Sequence, residues 1–254
     1  MEQEAIKELL EFKYQQFNAP EFIETDPIQI PHLFTQKEDI EISGFITATL
    51  AWGKRNSIIK NSRQIIECMD YAPYDFIMHH TEKDLNKFQG IKHRTFNNED
   101  LLFFIASLKH LYQTNTDMET VFTHGLNKGE TIKDAIMYFR EVFLNGKEEC
   151  RTQKHVANPS KGSAAKRINM FLRWMIRKDN FGVDFGIWDI SPSELFIPLD
   201  VHVGNVSRKL ELLNRKSNDW KAVEELTTNL SEFDPKDPVK YDYALFGLGV
   251  FEKF

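Results

Sequence analysis

The chain has 254 residues, 41% hydrophobic and 28% charged, the balance of a globular protein able to bury one large core or two small ones. Its formal net charge of −6 argues against indiscriminate nucleic-acid binding, and no apolar run is long enough for a membrane span. The two cysteines, Cys68 and Cys150, are isolated, which leaves no disulfide framework, zinc motif or iron–sulfur motif.

The acidic, amphipathic N-terminus does not read as a signal peptide, and two idle thiols suit a reducing cytosol, so a cytoplasmic location is expected. Phenylalanine is common at 21, while glycine and proline number 12 and 9, which favours helices packed through aromatic rings. Glu2 to Phe17 reads as a helix with Ile6, Leu9, Leu10 and Tyr14 on one face, and Asn18 to Pro31 as a connection. A helix from Lys37 buries Ile42, Phe45, Ile46, Thr49 and Leu50 and ends at Trp52-Gly53. Lys54-Arg55-Asn56 is read as the turn, with the next helix beginning at Ser57.

Ala72 to His80 is expected to be a short helix and 81–95 irregular. Asn97 with Asp100 makes a capping-box start for a helix through Tyr112. Met118 to His124 follows, and then Thr131 with Asp134 caps a helix ending at Asn145-Gly146. Ser163 is the expected N-cap of a helix reaching Lys178, with Ala165, Ile168, Leu172, Met175 and Ile176 inward and Lys166, Asn169, Arg173 and Arg177 on the opposite face. Beyond the loop holding Trp188, Leu199, Val203, Val206, Leu210 and Leu213 repeat at helical spacing, and Trp220 to Leu230 and Val239 to Phe251 close the chain. The fold class is all-α, with about ten to twelve helices and no convincing strand.

Charge is unevenly spread. From Arg151 to Lys178 there are eight Lys or Arg and no Asp or Glu, which leaves 24 basic and 38 acidic residues elsewhere. A positive face on an acidic body fits a DNA footprint and fits a solvated basic loop equally. The eight histidines show no metal-ligand spacing, and His79-His80 reads as surface.

Two stretches carry chemistry: 161–169, where Lys166 stands near a helix start, and 197–203, where Asp200 precedes another helix. Lys166 is either an ordinary solvated lysine or a Schiff-base nucleophile, favoured as the neutral amine by the cations Lys161 and Arg167. Asp200 is either simply an N-cap or a carboxylate held ionised by the helix dipole to stabilise a cationic transition state; one group can do both. Gly162-Ser163-Ala164-Ala165 is either a plain loop-to-helix turn or a backbone site for a phosphate. The Trp52-Gly53-Lys54-Arg55 turn can present an aromatic ring and two cations to nucleic acid, or be only a helix junction.

Gly162-Ser163-Ala164-Ala165-Lys166 followed by Pro198-Leu199-Asp200-Val201-His202-Val203 resembles the helix–hairpin–helix DNA glycosylase superfamily, closest in its Asp-Val-His wording to the 8-oxoguanine DNA glycosylases and in a bacterial branch. The resemblance covers roughly residues 36–254, with 38–67 like the opening helix pair and Val223 to Gly249 like the closing helices. It implies a two-lobed helical fold with a cleft between the lobes, 36–180 forming one lobe and 1–35 with 181–254 the other. By the same resemblance Lys166 is the lyase lysine, Asp200 the essential aspartate, Gly162 the first hairpin glycine and His202 the histidine after the aspartate. DNA contacts are then expected from Lys161, Gly162, Ser163, Ala164, Arg167, His202, Lys54 and Arg55, with Trp52 and Phe251 at the substrate pocket. Ala164 stands where a second hairpin glycine is expected, the segment between Lys166 and Asp200 is long, and the four-cysteine iron–sulfur loop of the endonuclease III branch is absent.

The implied activity is base excision with AP-lyase chemistry. The implied substrate is double-stranded DNA carrying a damaged base, an oxidised purine among the candidates. No cofactor or metal and a monomer acting on nucleoid DNA are expected. A non-catalytic DNA-binding module and a protein-interaction module on the same scaffold are the alternatives.

Overall fold

The computed structural model describes residues 2–147 and 149–254. Among these, the regular structure is twelve α-helices and several short 3-10 turns, with no strand beyond three isolated bridges. The helices are α1 (Gln3–Phe17), α2 (Pro20–Thr25), α3 (Lys37–Leu50), α4 (Arg55–Cys68), α5 (Pro73–His79), α6 (Asn98–Thr114), α7 (Met118–Lys128), α8 (Ile132–Leu144), α9 (Lys166–Ile176), α10 (Val201–Lys209), α11 (Trp220–Ser231) and α12 (Tyr241–Val250). No described helix is long and apolar enough to cross a membrane.

The chain divides into two compact units, Thr25–Ala157 and Met1–Glu24 with Asn158–Phe254. The sequence-based division set its second boundary at 180. The contacts set it at 157, so the 158–165 turn and α9 belong with both chain termini.

In the inserted unit, 25–157, the periodic apolar positions converge on a stack of rings. Phe45 lies 5.6 Å from Phe104 and 5.2 Å from Phe139, Phe104 lies 4.8 Å from Phe143, and Phe122 stacks on Phe139 at 4.6 Å. Both expected capping boxes form, Asn97 with Asp100 on α6 and Thr131 with Asp134 on α8. Helix α8 ends as expected at Asn145, which is left-handed. Two local readings change: α4 begins at Arg55 with Lys54 as its N-cap, and the Asn18–Pro31 connection contains α2 and a 3-10 turn.

In the terminal unit, α12 packs on α1 and α10. Gly249 sits close against α10, where a Cβ would lie 3.1 Å from the Cβ of His202, a tight contact. The polar side of α9 is not solvated as the sequence pattern suggests. Asn169, Arg173 and Arg177 are all buried: Asn169 turns back to the Ala164 carbonyl before the helix, and the arginines find acids in the loop after α9, at Asp237 and at the start of α12.

Candidate active site

The approach to α9 is a tight turn. Pro159–Lys161 form a 3-10 turn capped by the Asn158 side chain, and Gly162 takes φ +86°, a left-handed conformation that suits glycine. Ser163 is not the helix N-cap. Its hydroxyl accepts the Ala165 N–H at 3.1 Å, and Ala165 itself is the N-cap residue, left-handed at φ 51° and without a side-chain acceptor. The left-handed positions are therefore 162 and 165, so Ala164 does not need to be glycine. The turn is pinned from both sides: Trp220 N–H donates to Gly162 O at 3.2 Å, and Asn169 Nδ2 donates to Ala164 O at 3.3 Å. Ala165 offers no side-chain cap to the first turn of α9.

Lys166 is thus the first residue of α9, half-buried, with Nζ 3.4 Å from Met170 Sδ. Lys166, Met170 and Arg173 fall at spacings of four and three, one stripe of the helix, so the amine is laid along α9 toward Arg173.

Asp200 is the N-cap of α10, and its Oδ1 accepts Val203 N–H at 2.9 Å. The Asn218 amide donates to its backbone carbonyl at 3.0 Å, and the preceding segment is fixed by Ile197 N–H donating to Thr227 Oγ1 at 3.1 Å. The cap uses one carboxylate oxygen, so Oδ2 can serve another partner.

Asp242, in the first turn of α12, went unnoticed in the sequence. It is buried, and Arg173 Nη1 donates to its Oδ2. Burial pushes its carboxyl up to about 6; the Arg173 cation opposes this, Asp200 adds to it, Lys166 opposes it and Asp184 adds to it. Lys166 and Asp200 are thus among the charges that act on Asp242 from a distance, while Arg173 is its ion-pair partner. The available signal was slight: a single acid in the otherwise apolar run Tyr241–Val250.

Beneath this group lies an ionic network. Asp179 turns the chain after α9 by accepting the backbone N–H groups of Phe181, Gly182, Val183 and Asp184. Asp184 thereby returns to meet Arg173 Nε at 3.2 Å and Arg177 Nη1 at 3.0 Å, and accepts the Tyr243 hydroxyl at 2.9 Å. Arg177 also donates to Asp237 at 2.8 Å and to the Tyr14 hydroxyl at 2.6 Å. Burial alone would lower both guanidinium values, but the facing acids hold Arg173 and Arg177 above the ordinary arginine value.

The other expected residues fall as follows. Lys161, Gly162 and Ser163 are exposed, Ala164 is half-exposed, and Arg167 is partly buried, with burial holding its guanidinium down to about 10. His202 is exposed and stands 6.5 Å from the Phe246 ring. Phe251 is exposed and lies 5.6 Å from Phe17. Trp52, Lys54 and Arg55 belong to the inserted unit, where the Trp52 ring meets His155 at 6.0 Å, His93 at 6.3 Å and the Arg94 guanidinium at 5.4 Å. Among the described residues no three His, Cys, Asp or Glu side chains group as a metal site.

The model of DUF2400, a family described as protein of unknown function, matches residues 26–251, a span that takes in the 158–165 turn, α9, Asp200 and Asp242. The chain belongs to the DUF2400 family. Searches of curated proteins and of solved structures gave no match. For this DUF2400 chain, chemistry must therefore be argued from the arrangement of Lys166, Asp200 and Asp242 themselves.

Proposed function

We propose that the chain is a base-excision DNA glycosylase with AP-lyase activity on double-stranded DNA carrying a damaged base. The observation that carries this reading is that Lys166 opens α9 and Asp200 caps α10, so that both stand at helix starts of the terminal unit, each among the charges that act on the buried Asp242. An amine and a carboxylate so placed suit imine chemistry at a sugar carbon. The damaged nucleotide is flipped out of the duplex, and the Lys166 amine attacks C1′ and displaces the base. Asp200 stabilises the positive charge developing on the sugar, and the imine then permits β-elimination of the 3′ phosphate. The exposed 161–163 turn, with Lys161 ahead of the start of α9, supplies the contacts for the DNA backbone.

Borohydride reduction in the presence of duplexes carrying an oxidised purine, an alkylated base or an abasic site tests this. Wild type is expected to be trapped covalently on at least one duplex, and Lys166→Gln on none. Trapping of Lys166→Gln at the wild-type level overturns the lysine assignment. If no duplex traps the wild type, a non-catalytic DNA-binding role replaces the enzyme. Lys161→Glu with Arg167→Glu tests that role separately: duplex affinity should fall, and the salt slope should drop by roughly 0.9 per lost phosphate contact.

A further inference from the structure

We propose that Asn218 is a positioning residue for Asp200, and that 218–220 is a strap tying the Asp200 cap to the turn ahead of Lys166; this deepens the glycosylase reading above and rests on it. The three residues bond in two directions. On one side Trp220 N–H donates to Gly162 O at 3.2 Å, and Asp219 forms an antiparallel bridge with Ser163. On the other the Asn218 amide donates to Asp200 O at 3.0 Å. One short segment therefore touches both the turn that leads into Lys166 and the residue that carries the carboxylate.

The α10 side of the strap has room for the amide and for little else. Asp200 O accepts the Gly204 N–H at 2.9 Å, and the Asn218 amide takes the second lone pair of the same oxygen. Two donors on one oxygen must lie close together. A Cβ on Gly204 would stand 2.8 Å from Asn218 Oδ1 and 3.0 Å from its Nδ2, so the glycine leaves the amide its place. Arg208, one turn along α10, fixes the other end of that amide: its Nη2 donates to Asn218 Oδ1 at 2.6 Å and its Nε to Arg215 O at 2.8 Å. The Asp219 end is held by Arg215, whose Nε and Nη2 meet the two carboxylate oxygens at 2.6 Å each.

For Asp200 the consequence is direction. Its Oδ1 is set by Val203 N–H, and its carbonyl is set by Gly204 and Asn218, so the residue is held on both sides of its Cα. Asn218 is exposed, so water can replace its amide at the carbonyl with little loss of stability, but water does not fix an orientation. Rate is the more sensitive quantity, because a charge-stabilising group misplaced by about 1 Å can cost roughly 10²-fold.

Two variants reach the amide from opposite sides. Asn218→Asp keeps the shape and the Arg208 contact but cannot donate to Asp200 O. Gly204→Ala keeps Asn218 and the net charge but displaces its amide. The first measurement needs no substrate: hydrogen exchange of the Val203 amide, which donates to Asp200 Oδ1. Both variants should speed it severalfold and leave the Leu226 amide, inside α11, unchanged. Exchange at Val203 that stays at the wild-type rate in either variant overturns the proposal.

The second is single-turnover trapping at saturating protein on a base-bearing duplex and on a preformed abasic one. Base release needs Asp200 against the charge growing on the sugar, whereas an abasic site already offers its aldehyde to Lys166. Both variants should slow trapping on the base-bearing duplex by about 10- to 10²-fold and on the abasic duplex far less. Combined with Asp200→Asn, neither should be slower than Asp200→Asn alone, because Asn218 acts through Asp200. Equal slowing on the two duplexes, or slowing that multiplies with Asp200→Asn, marks a general structural role and overturns the positioning one. If wild type traps no base-bearing duplex, the glycosylase reading fails and the effect on rate fails with it, while exchange at Val203 still decides whether Asn218 holds Asp200.

Discussion

The two units bury very different interiors. In the inserted unit the rings of Phe45, Phe104, Phe122, Phe139 and Phe143 fill the space between helices, and its ion pairs are smaller groups, among them Asp100 with Arg151 at the capping box of α6 and Lys37 with Asp117 and Glu119. In the terminal unit, α9 turns two buried arginines toward Asp179, Asp184, Asp237 and Asp242. Ring packing is non-directional and tolerates repacking, whereas ionised groups out of water survive only with nearly fixed partners. The difference suggests why chemistry would sit on the second interior: a buried ionic lattice holds a carboxyl such as Asp242 in place and perturbs it, which a ring stack does not do.

Two substitutions of similar volume change should expose that contrast. Arg173→Met leaves Asp242 without its arginine and Asp184 with Arg177 alone, so chemical denaturation should show a loss of roughly 3–5 kcal/mol. Phe139→Leu removes part of a ring from a core that can close around it, with a loss of about 1 kcal/mol. Equal losses would mean that the lattice holds α9 and α12 no more strictly than the rings hold α8.

Acidity sharpens the comparison, because Asp242 and Asp100 are pushed in opposite directions. Burial raises Asp242 from an ordinary 3.8 to about 6, so the folded state binds its proton more tightly than the unfolded chain does. That stabilisation is complete below the unfolded value and is lost as pH rises through about 6, a change of roughly 3 kcal/mol. For Asp100, burial alone would raise the carboxyl, but the Asn97 N–H, Arg151 and Thr152 hold it below the ordinary value. Its contribution is present above the unfolded value and is lost as pH falls. Urea unfolding should therefore show Asp242→Asn becoming relatively less harmful as pH rises from about 4 to 7, and Asp100→Asn becoming less harmful as pH falls below the ordinary 3.8.

What could be read from the sequence follows the range of the interactions. Capping boxes close within three residues, and both were legible, as were the apolar stripes of α1, α3 and α8. Lys166 and Asp200 were legible as residues at helix starts. The lattice was not, because Arg173 meets Asp184 across a loop and Asp242 across 69 residues, and no period links them. Arginines opposite an apolar stripe look solvated until the acids facing them are placed. The start of α9 was misread for a local reason: Ser163 bonds back to Ala165, and the left-handed Ala165 takes the capping position without offering a cap.

The smallest effects separate a cap that only holds a helix from one that also faces the amine and the buried acid. Thr131 accepts the Asp134 N–H and completes the capping box of α8, so Thr131→Ala should cost about 1 kcal/mol in thermal unfolding and leave trapping on damaged duplex unchanged. Asp200 also caps a helix, but asparagine caps nearly as well and can accept the Val203 N–H in the same geometry. Only the charge is lost, so Asp200→Asn should shift stability by no more than about 0.5 kcal/mol. On the proposed chemistry the same substitution removes the anion facing the sugar and should slow base release by roughly 10²-fold or more in single-turnover assays. A variant as stable as wild type and as fast would reduce Asp200 to a second Thr131. The charge that Asp200 places near Asp242 would then be only part of the ionic packing around α9.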